Sequence, residues 1–138
     1  MAEVRMEDFD IGAEVRRLVE ADRRTGAAVT FLGAARESSR GKRVDHLEFE
    51  HYMGMAESEI DALEEEAVRR FDVLRCEVIH RIGEIAVGEN IVLIVVTAIH
   101  RKAAFEACEW AIDELKRRVP IWKKEYSTDG EEWVEEHP

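Results

Sequence analysis

Positive charge, cysteine and long apolar runs are all scarce in this chain, and each scarcity removes a class of function. Against 31 Asp+Glu stand 20 Lys+Arg, a net charge of −11 over 138 residues. A general nucleic-acid binder needs a basic stripe that releases phosphate counterions, so that class is excluded. Docking on an anionic membrane surface is disfavoured for the same reason. The longest apolar run, Ile91–Ile99, is far too short to cross a bilayer as a helix. Met1–Arg5 leads straight into mixed charge with no apolar secretory core, so the expected location is the cytoplasm. Cys76 and Cys108 are widely separated and lie outside any C-x-x-C arrangement, as expected of free buried thiols in a reducing compartment. Cys108 falls in a helical pattern with no adjacent base and is read as packing, not as a nucleophile. The five histidines lack metal-ligand spacing: His46 and His51 are five apart in an expected strand, hence on opposite faces. No metal and no cofactor is expected.

What is present is an ordinary apolar share, 46%, and a high charged share, 37%. Together they speak for a globular chain, and its length for one domain spanning 1–138. Glu3–Asp8 reads as a strand, and Asp10 caps a helix over Ile11–Ala21. Ala27–Gly33 is β-like, Ala34–Lys42 a polar, mobile loop, and Val44–Tyr52 a strand. Met55–Phe71 has the clearest helical spacing. Arg75–Arg81 is a strand, followed by a short piece at Ile85–Val87. Ile91–Ile99, almost wholly apolar, is expected to be a central strand buried on both faces. Ala103–Val119 is a second long helix, stopped by Pro120. Ile121–Tyr126 and Glu132–Val134 form a hairpin around Asp129-Gly130. The expected class is α+β.

Against the acidic background one window is cationic. His100–Lys124 holds seven Lys/Arg and four acids, a local net of +3. Positive charge kept together in this way points to a small anionic ligand. Arg101 would open the long helix and Lys116 lie near its end, about 22 Å apart at 1.5 Å per residue. One small ligand cannot touch both within one chain. Either there are two sites, or one site is shared between two copies across a two-fold axis. A helix end, a proline stop and a returning strand can bring Lys116 and Lys123 together, and Arg36 on its loop can reach either group.

Several ordered segments resemble one family. Phe31-Leu32-Gly33-Ala34-Ala35-Arg36 and Leu47-Glu48-Phe49-Glu50-His51-Tyr52-Met53-Gly54-Met55-Ala56 open the series. His80-Arg81-Ile82-Gly83, His100-Arg101-x-x-Ala104-Phe105, Leu115-Lys116 and Pro120-Ile121-Trp122-Lys123-Lys124-Glu125 continue it, and Gly130 and Trp133 complete it. The set resembles the large, catalytic subunit of molybdopterin synthase, the MoaE family, over roughly residues 4–136. The resemblance implies an α/β hammerhead fold with a small additional antiparallel β subdomain. It implies a central homodimer within a heterotetramer, each end binding a small ubiquitin-like subunit whose C-terminal Gly-Gly carries a thiocarboxylate. In that family two sulfurs are transferred to cyclic pyranopterin monophosphate, giving the dithiolene of molybdopterin, a step of molybdenum cofactor biosynthesis. Carried over by motif, Lys116 and Lys123 are the catalytic candidates. Arg36, His100, Arg101 and Glu125 join them as substrate-binding candidates, with His100 and Arg101 similar to residues that reach the pocket from the other protomer.

The residue types suit that chemistry. Two anions, a cyclic phosphate and a thiocarboxylate, must approach in a poorly solvated pocket, and their repulsion opposes it. Arg36 and Arg101 offer fork-like donors to phosphate. Lys116 and Lys123 suit the tail carbonyl and the tetrahedral species that form as sulfur adds; a desolvated lysine can also move protons or attack the thioacyl carbon. His100 is a candidate acid or base. The alternative is a non-catalytic dimeric module that binds a phosphometabolite or nucleotide; it would need the arginines but not both lysines. Trp122 and Trp133 are read as cross-strand or hairpin packing in preference to pterin-stacking platforms. Met53, Met55 and Phe105 are read as core, His80-Arg81 as structural or interfacial, and the acids Glu57, Glu59, Glu64, Glu65 and Glu66 as a solvated helix face. Relatives often continue with a polar tail that adds a basic residue near the pocket; here that stretch is Glu135-Glu136-His137, which puts such a contribution in doubt.

Overall fold

The computed structural model describes residues 2–39, 41–127 and 130–134. Arg40, Asp129 of the hairpin turn and Glu135–His137 of the tail lie outside the described residues. The elements in chain order are β1 (Glu3–Arg5), α1 (Ile11–Ala21), β2 (Ala27–Ala34), β3 (Ser38–Ser39), β4 (Lys42–His51) and α2 (Met55–Arg70). There follow β5 (Arg75–Arg81), β6 (Gly83–Ala86), β7 (Asn90–Ala98), α3 (Arg101–Arg118), β8 (Ile121–Ser127) and β9 (Gly130–Val134).

These elements build two sheets. The first runs β1-β5-β7-β2, with β1 parallel to β5 and the other pairs antiparallel. β7 is central, and its residues are buried almost end to end because both faces of the sheet are covered. Leu93 and Val95 meet Phe9, Leu18 and Ile79 under α1, while Ile94 and Val96 join the larger core under α2 and α3. An apolar strand without alternation is what such double coverage requires. The second sheet is antiparallel: β4 pairs with β8 on one side and β6 on the other, and β8 continues to β9. This is the expected α+β architecture with its additional antiparallel unit.

Local chemistry sets the helix ends. Asp10 accepts a hydrogen bond from the Ala13 amide at 3.0 Å and caps α1. α2 starts at Gly54, whose φ of +85° favours glycine, and Glu57 reaches back to accept from the Gly54 amide at 3.1 Å. Arg118 ties the end of α3 to α2 by donating to Glu66 at 2.7 Å.

Several expectations are corrected. β1 ends at Arg5, because the chain beyond it turns away: Arg5 and Arg81 donate to the carbonyls of Asp8 and Met6. The polar stretch after β2 carries a short strand, β3, paired with Lys42 and Arg43. Met53, Met55 and Phe105 are exposed, not core, since they fall on the outward sides of their segments. Glu64 is buried, not solvated: it faces β5 and accepts from the Val78 amide at 2.8 Å. Burial pushes its pKa from 4.5 up to about 6, with the Val78 bond pulling the other way. His80 and Arg81, expected to be structural or interfacial, lie at the end of β5. Both are buried, and the Arg81 guanidinium donates to the carbonyls of Met6 and Asn90. Both cysteines are free and buried, and burial raises the Cys76 thiol to about 12 and the Cys108 thiol to about 11.

Candidate active site

The site forms where α3 ends and β8 begins. The Val119 amide donates back to the Leu115 carbonyl at 3.1 Å and closes the helix; Pro120 prevents its continuation, and β8 leaves at Ile121. Lys116 therefore sits in the last turn, where a cation complements the negative end of the helix. From there it borders two spaces. One is a narrow, mainly apolar crevice of about 40 Å³, reaching past Phe49, Ile112 and Ile121 to His80 and Gly33. The other is an open concavity of about 540 Å³, lined with Lys116 by Glu50, Ile121, Trp122, Trp133 and Val134.

Partial burial lowers the Lys116 pKa below its ordinary value, and the Arg36 guanidinium lowers it further; Asp113 opposes both. Arg36, on the segment after β2, is thus grouped with Lys116 and not with His100. Lys123 and Glu125 alternate along the inner face of β8, opposite Phe49 and Leu47 of β4. They are buried, and Lys123 Nζ lies 3.8 Å from Glu125 Oε2. Two charged groups out of water need each other: unpaired, each would carry a desolvation cost of several kcal/mol, roughly.

The structure separates the remaining two candidates from this group. His100 stands just before α3 and Arg101 opens it, so they lie at the far end of an 18-residue helix from Lys116. Both are exposed and line a different concavity with Gly26, Ala27 and Ile99.

Three residues that border the concavity beside Lys116 were not among the site candidates of the sequence. Trp122 and Trp133 are 48% and 53% exposed and border it, Trp133 also packing against the cross-strand Lys124, whose Nζ lies 5.0 Å from its ring centroid. The reason is strand parity. Trp122 alternates with the inward Ile121 and Lys123, and Trp133 pairs with Lys124, so both indoles fall on the outer face. Glu50, paired with Trp122 across β4 and β8, was passed over. Its place in the quoted segment next to His51-Tyr52 was the available signal.

Grouped cations at a concave helix–strand junction, over a two-sheet α+β frame, make up the candidate site. Comparison with known proteins assigns the chain to a family. The family model described as MoaE protein matches residues 4–118. The molybdopterin synthase catalytic subunit of Pyrococcus abyssi is 46% identical over 129 residues, covering 94% of this chain and 86% of that protein. Among solved structures, molybdopterin synthase from Staphylococcus aureus superposes with a TM-score of 0.89 at 34% identity, covering 96% of both chains. A chain from the complex of subunits 1 and 2 of the Helicobacter pylori molybdopterin-converting factor shares the fold at TM-score 0.80 and 22% identity, covering 99% of this chain and 93% of that one. The chain belongs to the MoaE family.

Proposed function

We propose that this chain is the catalytic subunit of a molybdopterin synthase, a sulfurtransferase that uses the thiocarboxylated tail of a small ubiquitin-like subunit. The acceptor is cyclic pyranopterin monophosphate, and the product carries the dithiolene. The observation that carries the reading is the grouping of Lys116 with Arg36 at the mouth of a crevice, beside the buried Lys123–Glu125 pair.

Each residue has a part in that scheme. The narrow apolar crevice suits a Gly-Gly tail, which has no side chains to exclude. Lys116, exposed at the helix end with its ammonium disfavoured, donates to the tail carbonyl and steadies negative charge as the thiocarboxylate sulfur bonds to a precursor carbon and the carbon–oxygen bond at that carbon breaks, the oxygen leaving with protons as water or remaining on the phosphate. Hydrolysis of the resulting thioacyl linkage then leaves the sulfur on the pterin and a carboxylate on the tail. Lys123, held by Glu125, keeps a fixed positive potential behind the reacting atoms. Arg36 takes the phosphate. His100 and Arg101 serve the same pocket from a second copy, because α3 is too long for one chain to bring them to Lys116. The assembly is then a homodimer with a small subunit at each end. A module that only holds phosphate would have no use for the buried lysine–glutamate pair.

The decisive experiment mixes this protein with a thiocarboxylated small subunit and cyclic pyranopterin monophosphate, and looks for molybdopterin. Formation that depends on all three components supports the reading; none with any competent small subunit overturns it.

A further inference from the structure

We propose that Gly33 and Val92 together set the bore of the crevice beside Lys116, and that this bore selects a sulfur-donor tail whose last residues carry no side chain. The inference rests on the function proposed above and adds to it the pair of residues that decides which tail is admitted.

Nothing in the backbone of Gly33 calls for glycine. The residue lies in β2, buried and paired with Val92 of β7. The glycines with positive φ are Gly41, Gly54, Gly83, Gly88 and Gly130, so Gly33 has a conformation that other residues adopt freely. A glycine inside a strand weakens the strand, and its usual meaning there is that another group approaches closely. Here that group is Val92. A Cβ at position 33 would stand 2.8 Å from Val92 Cγ1, well inside van der Waals contact, and 3.4 Å from the Phe31 ring. Val92 leans over the bare Cα of Gly33.

Both residues line the crevice, whose volume is about 40 Å³. A water needs about 10–15 Å³ on this measure, so the space is small enough for one methyl group to matter. Val92 cannot yield by degrees, because a β-branched side chain is stiff at χ1 and moves between widely spaced wells. Gly33 cannot retreat either, since its backbone is held in the β2–β7 ladder up to the irregularity that follows it at Ala34. A methyl on Gly33 therefore drives the isopropyl group of Val92 into the crevice. Trimming Val92 does the reverse and widens it. Discrimination in an apolar slot of this kind amounts to roughly 10- to 200-fold for one carbon.

The test uses the full chain and small subunits whose tails end in Gly-Gly, Ala-Gly or Gly-Ala. Turnover is followed with the thiocarboxylated forms, and affinity by calorimetry with the unreactive carboxylate forms. Wild type is expected to favour Gly-Gly about 10- to 100-fold over the alanine tails. Gly33→Ala should lower affinity and kcat/KM for Gly-Gly about 10- to 100-fold. Adding Val92→Ala to it should recover most of that loss, because the displaced methyl regains its room. Val92→Ala alone should cut the preference for Gly-Gly over at least one alanine tail about tenfold. A merely structural defect would lower all three tails together and leave that ratio in place. Gly-Gly affinity within about twofold of wild type in Gly33→Ala overturns the proposal, as does a tail preference unmoved by Val92→Ala. Should Gly33→Ala fail to fold, the tail preference of Val92→Ala decides alone. Wild-type protein that makes molybdopterin with the Gly-Gly subunit, while Val92→Ala keeps the same tail preference, overturns the bore alone. Wild-type protein that neither binds nor uses the Gly-Gly subunit overturns both readings.

Discussion

Lys123 Nζ stands 3.8 Å from Glu125 Oε2, two residues along the same buried face of β8. A charged pair occupies the inside of this strand, while Trp122 faces out. Removing one partner breaks a buried ion pair. Glu125→Ala and Lys123→Ala are each expected to lower unfolding free energy by about 3–5 kcal/mol. The double variant Lys123→Met, Glu125→Leu, being apolar and of similar volume, should regain most of that stability and remain inactive. Urea unfolding and the molybdopterin assay read the two effects separately; a double variant with full turnover would remove Lys123 from the chemistry.

Lys116 stands in the opposite situation, exposed at the end of α3. Lys116→Ala should change stability by less than about 0.5 kcal/mol and reduce turnover about 10²- to 10³-fold. Wild-type-like turnover would refute its assignment.

Arg36 lowers the Lys116 pKa by opposing a second positive charge. Removing it relieves that opposition, so in Arg36→Gln the lysine should hold its proton to higher pH. The pH profile of Lys116 acylation, followed by mass spectrometry, should move upward. An unmoved profile would mean that the two side chains do not share a site.

Glu64 gives a pH dependence with a definite sign. Its pKa is raised from 4.5 to about 6, so the folded chain prefers the protonated acid. Its contribution to stability is fully present below pH 4.5 and is lost as pH rises through 6, a change of about 2 kcal/mol. Glu64→Gln keeps an acceptor for the Val78 amide and abolishes the titration. Subtracting its stability curve from that of wild type should show a step between pH 4.5 and 6, with the variant the more stable at pH 7. A flat difference would place the carboxylate in water.

The length of α3 predicts complementation. His100 and Arg101 at one end and Lys116 at the other, 15 residues on, cannot meet within a chain, so each pocket of the proposed dimer takes one group from each protomer. A dimer pairing an Arg101→Ala chain with a Lys116→Ala chain concentrates both defects in one pocket and leaves the other intact. Verified heterodimers should recover up to about half of wild-type activity. No recovery would argue for a site within one chain.

Much of this was legible in the sequence, and the reasons differ by element. β7 was readable because a strand covered on both faces must be apolar throughout, and α3 because Pro120 marks its end. The separation of Arg101 from Lys116 followed from helix rise alone. The family resemblance rested on ordered segments that run through both sheets. Strand parity is where the sequence fell short. Alternation says that Ile121, Lys123 and Glu125 share one side of β8 and that Trp122, Lys124 and Tyr126 share the other, but not which side faces water. Ordinary hydrophobic preference would turn the tryptophan inward and the lysine outward. The pairing of β8 between β4 and β9 sets Lys123 and Glu125 against Phe49 and Leu47, and the ion pair between them helps to make that burial tolerable. Glu64 is a similar case: helical spacing leaves it among the acids of α2, and only the approach of β5 supplies the Val78 amide that it accepts from. The sequence by itself determined the elements, their order and the cations available. Which charged groups go inside, and which aromatic ones stay in the light of solvent, was decided by tertiary packing, because burial of a charge depends on a partner that local sequence does not place.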